Sequence, residues 1–183
     1  MASEAIRYEP NYTADDYRTW EGEWELWNGV AVNMSPSPGF EHQNVATRLS
    51  ARILLQLEQS KNCPCIVVAE LDWQVSPDTV VRPDVSVLCK GHPGQFISYA
   101  PVLIAEVLSL STERKDRTAK KALYQQQGVQ FYLLVDPGTK DIEILSLHDD
   151  GKYQAVPVVN QQVSLAWGDD YRIAIPLNAI FSV

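Results

Sequence analysis

Two acidic residues stand where a carboxylate is costly, and together they could bind a divalent metal ion. Glu106 interrupts the apolar run 102–108, and a buried carboxylate is rarely tolerated unless it is paired, protonated or bound to a metal. Asp84 follows Pro83 at the start of an alternating run, and proline suits the first position of a strand. Two carboxylates on neighbouring strands form part of the oxygen cage that Mg²⁺ accepts. We therefore predict a metal site at Asp84 and Glu106.

Each of these acids also has an ordinary structural interpretation. Glu106 could lie at a strand end with its side chain in solvent or facing an arginine. A second Pro-Asp pair, Pro77-Asp78, lies in turn-type sequence at 76–79 rather than before a strand. Asp84 is for that reason a better candidate than Asp78 for a fixed position on a sheet. Many proteins carry an aspartate and a glutamate on adjacent strands, so the pair alone is weakly specific.

A basic residue could complete such a site. Asp116, Lys120 and Tyr124 are spaced four apart and would line one face of a helix, with Ala119 and Leu123 on its apolar side. On spacing alone, the favoured interpretation is an ion pair between Asp116 and Lys120 on a solvated face, worth a few tenths of a kcal/mol. The alternative is that Lys120 serves the acidic pair.

Other polar residues are open to two interpretations. His42 lies near the start of a predicted long helix, where it could cap or pack the helix or support an active site. His92 and His148 lie in turn-rich sequence and are expected at the surface. The basic cluster at 114–121 could contact phosphate groups or form a solvated helix face.

The elements that must position these residues indicate an α/β fold with a mixed sheet. Thr13 and Asp16 predict a capping box, and Asn28-Gly29 predicts a tight hairpin. A strand, helix and strand around Glu106 and Lys120 predict a crossover with at least one parallel pair. The predicted helices cover 13–20, 40–60 and 111–127, the last ending at Gly128, and the predicted strands cover 66–69, 71–75, 84–89, 102–108, 131–135 and 142–147.

Composition limits the classes of protein that remain. The 183 residues, 45% of them hydrophobic, favour one domain over 1–183. No apolar run reaches the length of a membrane helix, and residues 1–7 lack the pattern of a signal peptide. Three cysteines at 63, 65 and 89 are a poor framework for disulfides or zinc, so we expect free thiols and a cytoplasmic location.

The charge balance argues against tight nonspecific binding to nucleic acid. The chain has 15 basic and 23 acidic residues and a formal net charge of −8. Proteins that bind DNA usually neutralise phosphates with a basic surface. A protein acting on DNA would therefore need a local basic patch, a dimer or metal ions to offset its acidic residues.

The order of motifs resembles the Uma-two family of bacterial restriction endonucleases over about residues 25–147. The motifs that carry the resemblance are ELWNG at 25–29, MSPSP at 34–38, EHQ at 41–43, VRPDVSV at 81–87, APVLIAEVLS at 100–109, ST at 111–112, Asp116, Lys120, Tyr124, GV at 128–129 and YLLVDP at 132–137. The chain departs from the family at Val30, where Glu is usual, and at Leu110, where Pro is common.

The resemblance implies a restriction-endonuclease-like core, a mixed β-sheet flanked by helices, that cuts phosphodiesters with Mg²⁺ or Mn²⁺. By position, Asp84 and Glu106 would be its metal-binding acids. Leu108 stands where the wider PD-(D/E)XK pattern has lysine, and the family would supply Lys120 from the following helix instead. Glu25 would hold a second metal or orient the first indirectly.

We therefore predict a cytoplasmic, Mg²⁺-dependent endonuclease acting on DNA. The alternatives are a non-catalytic binding or assembly protein that keeps the fold, which the acidic balance would favour, and a metal-dependent hydrolase of something smaller than a duplex. We also expect a homodimer, because cleavage of a duplex commonly uses two sites related by a twofold axis. Five tryptophans, Trp24 and Trp27 among them, could supply its surface.

Overall fold

The structure, a computed structural model, describes residues 10–34, 37–60, 63–168 and 171–181. Its architecture is the predicted α/β class, with mixed sheets flanked by helices. The helices are α1 (Ala14–Tyr17), α2 (Phe40–Gln59), α3 (Glu113–Lys115), α4 (Lys121–Gln126) and α5 (Leu177–Phe181), with a π-helical turn, Asp116–Lys120, between α3 and α4. The strands are β1 (Trp24–Trp27), β2 (Val30–Asn33), β3 (Ile66–Ala69), β4 (Trp73–Ser76), β5 (Thr79–Val81), β6 (Val85–Leu88), β7 (Leu103–Val107), β8 (Phe131–Asp136), β9 (Asp141–Leu147), β10 (Tyr153–Val156), β11 (Gln162–Trp167) and β12 (Tyr171–Pro176).

A six-stranded sheet in the order β10-β9-β8-β7-β6-β3 carries the core. Among its described strands only β7 and β8 run parallel, joined through α3 and α4 as the strand–helix–strand pattern predicts. Both central strands are buried on both faces, which explains why their sequences are nearly continuous apolar runs. One face packs against α2 through Val45, Leu49 and Ile53. The other face packs around Tyr124 of α4.

A four-stranded sheet in the order β2-β1-β5-β4 lies beside the core and carries Glu25 on β1. The predicted hairpin between β1 and β2 is confirmed, with positive φ at Asn28 (48°) and Gly29 (78°). The predicted capping box is also present, because the side chains of Thr13 and Asp16 each accept from the other's backbone N–H. Strand β5 was not predicted, since its three residues are too few to show a period.

The helix predicted over 111–127 is broken rather than continuous. A π-helical turn, which is wider than an α-helical turn, lies between α3 and α4. The face that packs inward is the polar one, Asp116, Lys120 and Tyr124, whereas Ala119 is exposed. The interpretation of that face as solvated is therefore wrong.

The prediction of free thiols is wrong for two of the three cysteines. Cys65 and Cys89 form a disulfide, and Cys63 is free. The antiparallel pairing of β3 with β6 sets Ile66 opposite Leu88, so the residues next along each strand, Cys65 and Cys89, also face each other. This pairing joins positions 24 residues apart, which the cysteine spacing could not indicate.

None of the five tryptophans is fully exposed, so a dimer surface built on them would use only the partly exposed edges of Trp20, Trp24 and Trp27. Trp73 and Trp167 are buried, and Trp24 and Trp27 are half-buried, each donating its indole N–H inside the chain. No helix in the described ranges is long and apolar enough to cross a membrane. The expectations for residues 1–7 and for residues 35–36 of the MSPSP motif fall outside the described residues.

Candidate active site

Three of the four predicted site residues, Asp84, Glu106 and Lys120, line one cleft of about 600 Å³. Asp84 lies between β5 and β6, and Glu106 lies on the neighbouring strand β7. Because Val85 pairs with Ala105 in antiparallel register, the residues flanking that pair, Asp84 and Glu106, come side by side. Lys120 reaches the same place from the end of the π-helical turn.

Glu106 is buried, with 1% of its surface exposed, and is held by two donors on a single oxygen. Its Oε1 accepts from Lys120 Nζ at 2.9 Å and from the Tyr124 hydroxyl at 2.6 Å. Burial raises the pKa of Glu106 to about 8, and the charges of Asp84 and Asp116 act in the same direction, against the lowering effect of Lys120. The interpretation of Glu106 as a solvent-facing strand end is excluded by this burial.

Lys120 lies among three carboxylates rather than in solvent. Besides Glu106, its Nζ lies 3.5 Å from Glu25 Oε1 and 3.6 Å from Asp116 Oδ1. Burial alone would lower the pKa of Lys120, but the surrounding carboxylates, Glu106 foremost, raise it well above its ordinary value. Lys120 is therefore an ammonium ion at neutral pH.

Asp116 is buried as well, although the sequence suggested an exposed partner for Lys120. It is 1% exposed, and neither side-chain oxygen has a hydrogen bond of good geometry with a described residue. Burial raises the pKa of Asp116, whereas Lys120 and the Thr112 hydroxyl lower it. The contact between Asp116 and Thr112 falls short of hydrogen-bond geometry. Asp116 thus adds a third negative group to the cleft.

Glu25 lies behind Lys120, fully buried on β1. Its Oε2 accepts from Lys115 Nζ at 2.6 Å and from Trp27 Nε1 at 2.9 Å, and its Oε1 accepts from the N–H of Arg82 at 3.1 Å. Burial alone would raise the pKa of Glu25, but Lys120 and Lys115 outweigh it and lower the pKa to about 2. Both oxygens of Glu25 are thus engaged, and Oε1 also lies 3.5 Å from Lys120 Nζ.

Asp84 is held in the same way as Glu106, through one oxygen by two donors. Its Oδ2 accepts from the N–H of Val107 at 2.7 Å and lies 3.2 Å from His42 Nε2. Burial alone would lower the pKa of His42, but its contact with Asp84 outweighs this and raises it. His42, for which capping and site support were both open, therefore lies at the site, on the first turn of α2.

The donor set of the cleft fits a divalent cation held by two carboxylates. The hydrogen bonds described above use Asp84 Oδ2 and Glu106 Oε1, and none between described residues uses the other oxygen of either group. Four carboxyl groups, Glu25, Asp84, Glu106 and Asp116, face two ammonium groups, Lys115 and Lys120, so acidic groups outnumber basic ones in the cluster.

No group of three or more His, Cys, Asp or Glu side chains in the described ranges is placed to hold a metal on its own.

The basic cluster at 114–121 is divided between the site and the surface. Lys115 and Lys120 face the site, and Arg117 pairs with Glu113 and Glu143 at 2.8 and 2.7 Å. Arg114 is exposed. Neither interpretation of the cluster, as a phosphate-contacting patch or as a solvated face, accounts for Lys115 and Lys120, which neutralise buried acids.

Three residues of the site were missed or misplaced by sequence reasoning. Asp116 was expected in solvent, Lys115 was grouped with surface cations, and Arg82 was noticed only within a motif. The signal for Asp116 and Lys120 was their place in a helix leading away from Glu106, but spacing could not show which face packs inward. His92 and His148 lie at partly or fully exposed positions, away from the residues that line the cleft.

Comparison with known proteins places the chain among nuclease-like proteins. The model of the Uma2 family, described as "Putative restriction endonuclease", matches residues 14–171. An uncharacterized protein of Synechocystis sp., slr1290, is 32% identical over 164 residues, which cover 85% of this chain and 83% of that protein.

A solved structure shares the fold. The crystal structure of a putative nuclease belonging to DUF820 from Anabaena variabilis superposes with a TM-score of 0.72 at 16% identity, covering 93% of this chain and 98% of that one. At this identity the likeness concerns the fold alone.

Proposed function

This chain belongs to the Uma2 family, and from that membership and its buried acidic cleft we propose that it is a divalent-metal-dependent nuclease that hydrolyses DNA phosphodiester bonds. Mg²⁺ or Mn²⁺ is the proposed cofactor, and Asp84 and Glu106 are its proposed ligands. Lys120 and Glu25 complete the proposed catalytic set. Lys120 faces the substrate, and Glu25 holds Lys120 in place.

The observation that carries this proposal is the way the two acids are held. Asp84 and Glu106 are each fixed through one oxygen by two donors. Carboxylates fixed in this manner cannot turn away from the cleft, which is the role of hydrogen bonds around metal ligands. Because the pKa of Glu106 is raised to about 8, a bound cation would displace a proton from Glu106, and the neighbouring charges of Asp84 and Asp116 favour that exchange.

When bound, a divalent ion would polarise the phosphate and lower the pKa of a coordinated water molecule. Lys120 supplies a fixed positive charge beside that position, because its pKa stays well above neutrality. Such a cation stabilises negative charge that develops on the phosphate in the transition state. A protonated lysine cannot accept a proton, so Lys120 acts through its charge and not as a general base.

Glu25 and Asp116 keep Lys120 charged and oriented. Glu25 is bound at its other oxygen by Lys115 at 2.6 Å, so it cannot move without breaking a second ion pair. Tyr124, itself fully buried, donates to Glu106. These contacts give the ammonium group of Lys120 one position, which is what preorganised electrostatic catalysis requires.

The protein is also proposed to form a homodimer and to be located in the cytoplasm. A homodimer would supply two sites related by a twofold axis for the two strands of a duplex. Light scattering at tens of micromolar protein tests this, and a monomer at that concentration would contradict it. Fractionation of cells tests the proposed cytoplasmic location.

Incubation with plasmid and single-stranded DNA in Mg²⁺ or Mn²⁺ tests the activity. The wild type should cleave, and Asp84→Ala should not. Asp78→Ala is a matched control, because Asp78 belongs to the other Pro-Asp pair and its side chain accepts hydrogen bonds from Ser76 and Thr79 in a turn. DNA binding without cleavage under all conditions would support the non-catalytic alternative instead.

A further inference from the structure

The loop that follows β7 places three hydroxyl groups in the cleft of the acidic pair. Ser109, Ser111 and Thr112 all line that cleft. The backbone closes the loop on itself, because the carbonyl of Ser109 accepts from the N–H groups of Thr112 at 3.1 Å and of Glu113 at 2.9 Å. The three side chains are therefore held together just beyond the strand that carries Glu106.

The three hydroxyl groups have one more hydrogen than their mutual contacts use. The Ser109 hydroxyl lies 3.1 Å from that of Ser111 and 2.9 Å from that of Thr112. Each hydroxyl group carries one hydrogen, so two contacts among three groups leave one O–H to donate elsewhere. Serine and threonine hydroxyls are common donors to the phosphate oxygens of nucleic acids.

An apolar side chain stands between these hydroxyl groups in the sequence. Leu110 is fully exposed, whereas Ser109 and Thr112 are half-buried. A single exposed leucine is ordinary on a protein surface, and Leu110 gains its significance from the residues on either side, which line the cleft. Proteins that bind nucleic acids place leucine side chains against or between bases.

The loop 109–112 thus offers the two chemistries that a nucleotide presents, a donor for a charged phosphate and an apolar surface for a base. We propose that this loop seats one nucleotide of the substrate, with the hydroxyl groups donating to a phosphate oxygen and Leu110 packing against the adjacent base. This inference rests on the proposed function and adds how the substrate is positioned. It also meets the objection from net charge, since neutral O–H donors bind phosphate without an additional basic residue.

The charged side chains around the loop do not oppose a phosphate. Lys115 lies in the same cleft with 25% of its side chain exposed and supplies a positive charge. Glu113 pairs with Arg117 at 2.8 Å, and Asp116 lies 3.6 Å from the ammonium group of Lys120. The acidic pair itself is the proposed ligand set of the cation, whose charge would offset its own.

The polar part of the loop is tested at Ser111, which is exposed and forms one of the two hydroxyl contacts. Ser111→Ala removes the hydroxyl group, and Ser111→Thr keeps it. Ser164→Ala is the matched control, because Ser164 is an exposed serine on β11 whose hydroxyl accepts from Gln162 Nε2 at 3.0 Å.

The apolar part is tested at Leu110. Leu110→Ala removes most of the side chain, and Leu110→Met keeps an apolar side chain of similar size. Leu54→Ala is the matched control, because Leu54 is an exposed leucine on α2 outside the cleft lining. Thermal unfolding of each variant checks that the fold is retained.

Fluorescence anisotropy of a labelled single-stranded oligonucleotide measures binding, with Ca²⁺ in place of Mg²⁺ to allow binding without cleavage. A second oligonucleotide of equal length carries abasic residues, so it offers phosphates without bases. Ser111→Ala should weaken binding of both roughly tenfold, as expected for loss of a hydrogen bond to a charged group. Leu110→Ala should weaken binding of the first roughly fivefold and leave that of the abasic strand unchanged. The two conservative variants and the two controls should bind as the wild type does.

Equal binding by the wild type and Ser111→Ala would overturn the inference, and so would a wild type that binds neither oligonucleotide. If Leu110→Ala affects both oligonucleotides equally or neither, Leu110 does not pack against a base and the nucleotide inference is wrong. If inorganic phosphate raises the unfolding midpoint of the wild type while no oligonucleotide binds, the loop takes free phosphate and the inference is likewise wrong.

Cleavage by the wild type in Mg²⁺ decides the proposed function separately. Cleavage together with equal binding by all variants would leave the proposed function standing and remove this inference. Weaker binding by Ser111→Ala and Leu110→Ala in the expected pattern, without cleavage by the wild type, would support this inference while the proposed function fails.

Discussion

Replacement of Lys120 by methionine separates a buried cation from a surface one. Lys120 is 4% exposed at its side chain and lies within 3.6 Å of Glu106, Glu25 and Asp116. Removing one partner from a buried ion pair costs about 3–5 kcal/mol, because the remaining charges lose their compensation. For a chain of this size that corresponds to a fall of roughly 6–20 °C in the unfolding midpoint. Lys121→Met, at the half-buried neighbouring position, should change stability by about 0.5 kcal/mol or less.

The stability lost in Lys120→Met should depend on pH, and the structure determines in which direction. Burial already raises the pKa of Glu106 to about 8, and loss of Lys120 raises it further. When folding raises the pKa of a carboxyl group, that group stabilises the folded state at pH values below its unfolded pKa. This stabilisation is lost as the pH rises through the folded pKa. The deficit of Lys120→Met should therefore be larger at high pH than near the unfolded pKa of 4.5.

Urea unfolding followed by tryptophan fluorescence, across that pH range and for both lysine variants, measures this effect. Equal stabilities of Lys120→Met and Lys121→Met would refute the burial argument. A loss of stability that does not change with pH would refute the inference that the neighbouring carboxylates are the charges left without a partner. Cleavage by Lys120→Met at the wild-type rate would exclude the proposed catalytic role.

Four further outcomes are expected. Glu25→Gln should lower the free energy of unfolding at neutral pH by a few kcal/mol, and the difference should vanish as the pH falls from 4.5 towards the folded pKa of about 2, as pH-dependent urea unfolding would show. Tyr124→Phe removes a 2.6 Å hydrogen bond to Glu106 and should cost about 1.5–3 kcal/mol in the same assay, so an unchanged midpoint would contradict it. Gly29→Ala should destabilise the chain by more than about 1 kcal/mol in thermal unfolding, because φ is +78° and the new Cβ would lie 2.8 Å from a side-chain oxygen. Calorimetry should detect Mg²⁺ or Mn²⁺ binding that Asp84→Asn abolishes, and equal binding by the variant would disprove this site.

Local chemistry was sufficient to predict much of the fold. The capping box at Thr13, the turn at Asn28-Gly29 and helix α2 each depend on neighbouring residues, and each is present in the structure. The continuous apolar runs around Glu106 and Leu133 identified two central strands, because strands buried on both faces have no polar alternation. The same runs made Glu106 conspicuous as an acid in the wrong environment.

Contacts between distant residues decided the rest. Whether Lys120 lies in solvent or among acids depends on the π-helical turn and on β1, which brings Glu25 from 95 positions away. The disulfide depends on the register of β3 with β6, and the place of His42 depends on where α2 meets Asp84. A sequence determines which residues can carry charge or bury apolar surface, but burial, ion pairing and the resulting pKa values arise only when separate strands and helices enclose the same space.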